Sequence, residues 1–279
     1  MKKLVLAGLM FGSVAMAQNS YDLLPYAGYI DYSGTTTKDY GYVGGIYFSS
    51  LESPWKIELD AEHTDIKYQD QDDLKQSDFT AKLNYYEGYN LAYNMGLHYI
   101  DTTDTLTDKG LIYMGGISYY QTLKYNVGMD IYYSDYSNLS TSPTIFQFSP
   151  KAGINFGNYN SKIGSFYTEA KLDYIKPSKN KSENYLKSSY TSIEVTLNNY
   201  NGKFTTSING WAGKRAYAIE NGGFIVNNLS NEQTGGFKIS ENYKLDSAQS
   251  VKMEYSYTKF KELGDASSDT ILASYNYAF

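Results

Sequence analysis

The chain has no cysteine, which excludes a small secreted scaffold stapled by disulfides. Past residue 17 it has no apolar run long enough to cross a bilayer as a helix, so a helical membrane domain is excluded as well. Positive charge is scarce: the formal net charge is −6, Arg215 is the only arginine, and such acidity argues against nucleic acid as a partner. Histidine is scarcer. His63 and His98 fall on opposite faces of different segments, His63 toward the outer rim and His98 as a polar wall residue, and neither comes with a nucleophile pattern, so no enzyme is expected. No phosphate-loop motif occurs. Glu58, Asp60 and Glu62 would spread over about 13 Å of extended chain, too far for one metal ion to be held by all three. Neither metal nor cofactor is expected.

What is present begins with an export signal. Lys2 and Lys3 precede the apolar run 4–11, and Ala15-Met16-Ala17 supplies a small-residue cleavage pattern. Residues 1–17 therefore read as a signal peptide, and 18–279 as a single mature domain. That domain is rich in aromatics, with 32 Tyr and 12 Phe in the chain against 5 Pro, yet the mean hydropathy is −0.49, a value typical of soluble proteins. A transmembrane barrel reconciles these facts, because only alternate residues of its strands meet lipid while the others face a wet lumen. Tyr suits the bilayer rim, where its ring lies in the apolar layer and its hydroxyl reaches the headgroups.

Residues 55–62 give the clearest alternation. Trp55, Ile57, Leu59 and Ala61 interleave with Lys56, Glu58, Asp60 and Glu62, a period of two that only a sheet with one apolar and one charged face satisfies. Segments of like character predict strands at 24–32, 40–48, 55–62, 78–86, 91–99, 111–119, 127–133, 145–156, 166–174, 193–197, 204–212, 237–240, 251–257 and 270–279. Pro150 lies inside one of them and predicts a bulge or kink, since it cannot donate to a ladder. Breaks alternate between short turns, such as Asn201-Gly202, and longer polar loops. The fold class expected is therefore all-β: an antiparallel up-and-down transmembrane barrel of about fourteen strands, with twelve or sixteen also compatible, short periplasmic turns and long extracellular loops.

The last strand, 270–279, carries Ile271, Ala273, Tyr275, Tyr277 and Phe279 on one face and Ser274 and Asn276 on the other. Its alternating apolar and aromatic residues and terminal Phe279 resemble the assembly signal of Gram-negative outer-membrane β-barrels, with Tyr275, Tyr277 and Phe279 as the signal residues. The whole mature chain resembles that class, and in size and loop plan the monomeric fourteen-stranded porins. The resemblance implies an outer-membrane location, lipid and lipopolysaccharide around the barrel, the barrel assembly machinery as a partner, a monomer, and small hydrophilic solutes or ions as cargo.

A barrel of this size is too wide for side chains alone to fill. The inward parity supplies the expected pore lining: Lys56, Glu58, Asp60, Glu62, Asp78, Lys82, Asp130, Lys151, Glu169, Lys171, Asp173, Glu194, Lys203, Lys238, Lys252 and Glu254. With nine acids to seven lysines, the set implies a slight cation preference, and pairing of opposite charges across neighbouring strands would brace the same wall. The break 213–233 is unlike the other loops, for it carries Arg215, Tyr217, Ile219, Phe224, Ile225, Val226 and Leu229 among its Asn and Gly. It either folds over the pore mouth, with Arg215, Tyr217 and Phe224 as the covering residues, or extends above the membrane as a hairpin. The function expected is passive diffusion of small hydrophilic solutes or ions. The alternatives are a structural or adhesive barrel with a blocked lumen, and a channel for hydrophobic substrates, which would need an apolar track or plug inside the polar wall.

Overall fold

The computed structural model describes residues 20–88, 90–136, 143–178, 187–228, 231–262 and 264–279. The expected signal peptide, 1–17, lies outside them, as does Leu229. Among the described residues no helix is long and apolar enough to cross a membrane.

The strands are β1 (Ser20–Ser33), β2 (Lys38–Glu52), β3 (Trp55–Tyr68), β4 (Leu74–Glu87), β5 (Leu91–Thr102), β6 (Leu111–Gln121), β7 (Tyr125–Asp135) and β8 (Thr144–Gly157). They continue as β9 (Ser165–Pro177), β10 (Tyr190–Asn201), β11 (Phe204–Arg215), the two-residue β12 (Ile219–Glu220) and β13 (Ile225–Val226), β14 (Glu232–Lys244), β15 (Gln249–Lys261) and β16 (Asp265–Ala278). All but β12 and β13 form one closed antiparallel barrel of fourteen strands, in which each strand pairs with its neighbour in sequence and β16 returns to β1. Closure leaves no sheet edge unpaired, which lipid would not satisfy.

The period-two pattern decides which side faces out. On β3, Trp55, Ile57 and Leu59 are exposed while Lys56 and Glu58 are half-buried and Asp60 buried. The same exposed apolar face runs through Phe79, Met95, Val127, Ile131, Ile193, Met253 and Ile271. Aromatic rings gather at both ends of this band. Trp55 and Tyr85 (centroids 4.6 Å apart) and Phe204 and Tyr243 (4.9 Å) mark the short-turn rim, and Tyr29 and Tyr42 (5.6 Å) lie toward the long-loop rim. This arrangement of an apolar belt between aromatic girdles is the surface of a barrel seated in a bilayer.

The terminal strand closes the ring as its pattern requires. Tyr26 pairs with Ser274 and Ala27 with Ala273, the Tyr21 and Phe279 backbones exchange hydrogen bonds of 3.1 and 3.0 Å, and their rings stack at 5.5 Å. Two details differ from the sequence expectation. Phe148 pairs with Tyr174 and Lys151 with Lys171 in one register, so Pro150 causes no bulge; it sits where the β7 and β9 ladders continue past it. Most of the expected long outer break before the last strand is strand instead, because the ladder continues to Lys261↔Asp265 beyond the segment whose alternation a membrane imposes.

Candidate functional site

The inward face is a braced charged wall. Lys171 meets Glu194 at 3.2 Å across β9 and β10, Lys151 meets Asp130 at 2.6 Å across β7 and β8, and Lys238 meets Glu254 at 3.1 Å across β14 and β15. Lys56 reaches Glu58 at 2.8 Å and Lys252 reaches Glu254 at 2.8 Å along single strands. The Tyr26 hydroxyl contacts both Asp60 (3.1 Å) and Glu62 (2.8 Å), and the Tyr167 hydroxyl donates to Glu169 at 2.6 Å. Asp78 accepts from Gln76 at 2.8 Å and lies 3.2 Å from the buried His98 ring. Lys203 departs from this set: it is exposed in the turn between β10 and β11, where its ammonium donates to the Leu245 carbonyl at 3.2 Å. Its parity matched the wall, but the strand begins one residue later.

The segment between β11 and β14 does not stay outside. It turns inward after Arg215, buries Ala216, Tyr217, Ala218 and Ile219, and forms a small hairpin in which Ile219 pairs with Val226 and Glu220 with Ile225. At its tip a short 3₁₀ turn, Asn221–Gly223, lies against the opposite wall: Lys82 donates to the Gly222 carbonyl at 2.9 Å, and Phe224 meets the Tyr47 ring edge-on at 5.5 Å. Gly223 has φ of 104°, and a Cβ there would collide with the Met114 thioether, so glycine is needed for the turn and for the approach. On the return, Asn228 donates to Gln76 at 2.8 Å and to Thr107 at 3.0 Å. Contacts with β8 at one side and with β2 and β4 at the other mean that the segment crosses the lumen. Lys82 and Tyr47 lie in the turn-side halves of their strands, so the crossing is deep. Of the two expectations for 213–233, a cover over the mouth or an extension above the membrane, neither describes this: the hairpin lies within the barrel.

Arg215 roots the hairpin. It is completely buried, with ion pairs to Asp173 (3.1 Å), Glu194 (2.8 Å) and Glu220 (3.2 Å), a hydrogen bond to Ser192 (2.7 Å), and its guanidinium 4.2 Å over the Trp211 ring. At the loop-side ends of β11 and β14, Glu232 ties Lys187 of the preceding outer loop to Lys214, and its hydrogen bond raises the Lys187 ammonium above its ordinary pKa.

The hairpin lies in an apolar surrounding that strand-by-strand parity did not reveal. Ile100, Ile112, Met114, Tyr132, Tyr136, Ile145, Ile175 and Tyr190 form one buried cluster with Ala216 to Ile219. They line the loop-side ends of the inward face over β5 to β10, and register aligns them: Met114 pairs with Tyr132, Tyr132 with Gln147, Gln147 with Ile175 and Ile175 with Tyr190. Over β5 to β10 the inward surface is thus apolar toward the long loops, with the buried charges of Arg215, Asp173 and Glu194 beside it. That corrects the expectation of a polar wall from end to end. The signal was present as apolar residues of the wrong parity at the strand ends.

No family model matches the sequence, and no curated protein matches it by sequence. Solved structures share its fold. One described as "CymD monoaromatic hydrocarbon channel" superposes with a TM-score of 0.62 at 9% identity over 96% of this chain and 93% of that one. The Ralstonia pickettii toluene transporter TbuX gives 0.59 at 10% identity, over 95% and 90%. A "Bacterial polysaccharide outer membrane secretin" gives 0.58 at 10% identity, over 92% and 97%. The chain has the fourteen-stranded fold of outer-membrane barrels, and its apolar belt and aromatic girdles suit it to that membrane.

Proposed function

We propose that the protein is an outer-membrane channel for small hydrophobic molecules, closed at rest by the hairpin of residues 216–228. One observation carries the reading: toward the long loops, the lumen holds an apolar compartment walled by β5 to β10 and already filled by apolar side chains of the chain's own loop. An open pore for hydrophilic solutes needs a wet lumen throughout, whereas this compartment would favour apolar cargo by ordinary burial. The solved barrels described as hydrocarbon channels and toluene transporters lend the same reading support through shared fold. The charged remainder of the inward face then serves as the exit toward the periplasm and braces the wall.

Residues 1–17 would be removed on export, lipopolysaccharide would surround the girdle, and the assembly machinery would read Tyr275, Tyr277 and Phe279 in a monomeric barrel. A second reading, passive diffusion of hydrophilic solutes, is favoured by the charged inner wall and applies only when the hairpin leaves the lumen. The test is uptake of labelled toluene by intact cells whose lipopolysaccharide outer membrane is the barrier. Cells with the barrel take it up faster than cells without it; equal rates would reject the proposal.

A further inference from the structure

The apolar compartment contains a polar feature more specific than its walls require. Gln147 is completely buried and uses both ends of its amide on one residue of the hairpin: Nε2 donates to the Ile219 carbonyl and Oε1 accepts from the Ile219 N–H, each at 2.8 Å. Nε2 also reaches Ser149 Oγ at 3.1 Å, and Ser149 is held on Asp173 at 2.7 Å, so the wall fixes which way the amide points. A buried amide is costly without partners. Whatever lies beside Gln147 must therefore present an acceptor and a donor together.

The hairpin satisfies Gln147 but fits the rest of the site badly. Ser134 near the end of β7 and Tyr136 just past it are completely buried, and among the described residues neither hydroxyl has a hydrogen-bond partner beyond the other while the hairpin is seated. Tyr217, whose ring lies 5.7 Å from that of Tyr136, has φ of 55°, a conformation that is uncommon for a residue with a bulky side chain. A permanent plug would have no need of a strained residue at its centre.

We infer that Ala216 to Ile219 stand in for a ligand: the compartment is a binding site for a small aromatic or apolar solute bearing an adjacent donor and acceptor, such as a carboxamide or cyclic amide. Gln147 reads that pair, and the Ser134 and Tyr136 hydroxyls supply further contacts. Solute and hairpin compete for the site. This rests on the proposed passage of hydrophobic molecules and names the part of that cargo the channel prefers.

The test is calorimetric titration of the folded, full-length barrel with benzamide and with toluene, which share a ring and differ in the amide. Benzamide is expected to bind more tightly, by roughly fivefold to thirtyfold for one or two net hydrogen bonds. Replacing 216–228 by a short Gly-Ser linker strengthens binding of both. Gln147→Leu removes the preference and leaves toluene binding in place. Ile219→Pro, which deletes the N–H that Gln147 accepts without touching the barrel wall, strengthens benzamide binding and serves if Gln147→Leu fails to fold. Equal affinities for the two probes, a preference that survives Gln147→Leu, or no gain on removing the hairpin would each overturn the inference. Should the preference fail while toluene uptake still depends on the barrel, this inference falls alone. Should Gln147-dependent benzamide binding persist while uptake is unaffected, the site stands and the transport reading falls.

Discussion

Arg215 divides its bonds unequally. Toward the wall it hydrogen-bonds Glu194 and Ser192 and pairs with Asp173 through the same nitrogen that reaches Glu194; toward the hairpin its contact with Glu220 is an ion pair whose Nη1 lacks hydrogen-bond geometry among the described residues. The guanidinium is therefore hydrogen-bonded to the barrel wall and tied to the hairpin by charge alone. Arg215→Met leaves Asp173 and Glu194 buried with less compensation, and should lower barrel stability by about 3–5 kcal/mol in denaturant unfolding, the usual cost of breaking a buried pair. Lysine is not an adequate substitute, because a single ammonium cannot span the carboxylates that a planar fork serves. Glu220→Gln weakens only the attachment of the hairpin. It should leave the unfolding midpoint nearly unchanged while raising the frequency of open events in planar-bilayer recordings; a stability loss equal to that of Arg215→Met would contradict this division.

Among the elements, β16 and the lumen hairpin make opposite demands on sequence reading. The alternation of 270–279 was legible because lipid on one side and lumen on the other impose different solvents on successive residues, and the same contrast made 55–62 unambiguous. Its partner could also be inferred, since a closed barrel leaves the first strand as the natural mate. Removal of Phe279 deletes the ring stacked on Tyr21 and the last exchange of backbone hydrogen bonds with it. The yield of folded barrel in the membrane should drop severalfold, while the conductance of the barrels that do assemble is unchanged.

The hairpin was legible only as an anomaly, an outer loop with too many apolar residues. Its destination depended on contacts such as Gln147 with Ile219 and Gln76 with Asn228, between residues remote in sequence. For the same reason Ile100, Ile112, Ile145 and Ile175 did not read as interior: parity separates lumen from lipid but does not say what fills the lumen. Replacement of 216–228 by a short linker should raise single-channel conductance severalfold, as a filled lumen becomes a wet one; unchanged conductance would mean that the hairpin does not limit flow.

For the whole molecule, the apolar compartment and the rest of the lumen wall set the balance between cargo classes. Along the rest of the wall, charges pair across and along strands, as between Lys151 and Asp130 or Lys238 and Glu254, and keep it hydrated, whereas Lys203 lies in a turn. Toward the long loops, an apolar cluster closes on its own hairpin, and this compartment favours hydrophobic cargo. The most direct measurement is the initial uptake of toluene and of arabinose by intact cells carrying no barrel, the native barrel, or the barrel with 216–228 replaced. The expected result is that the native barrel accelerates toluene but not arabinose, and that hairpin replacement accelerates both. Native barrels that accelerate arabinose, or that leave toluene uptake unchanged, would contradict the closed, hydrophobic-selective channel proposed for this chain.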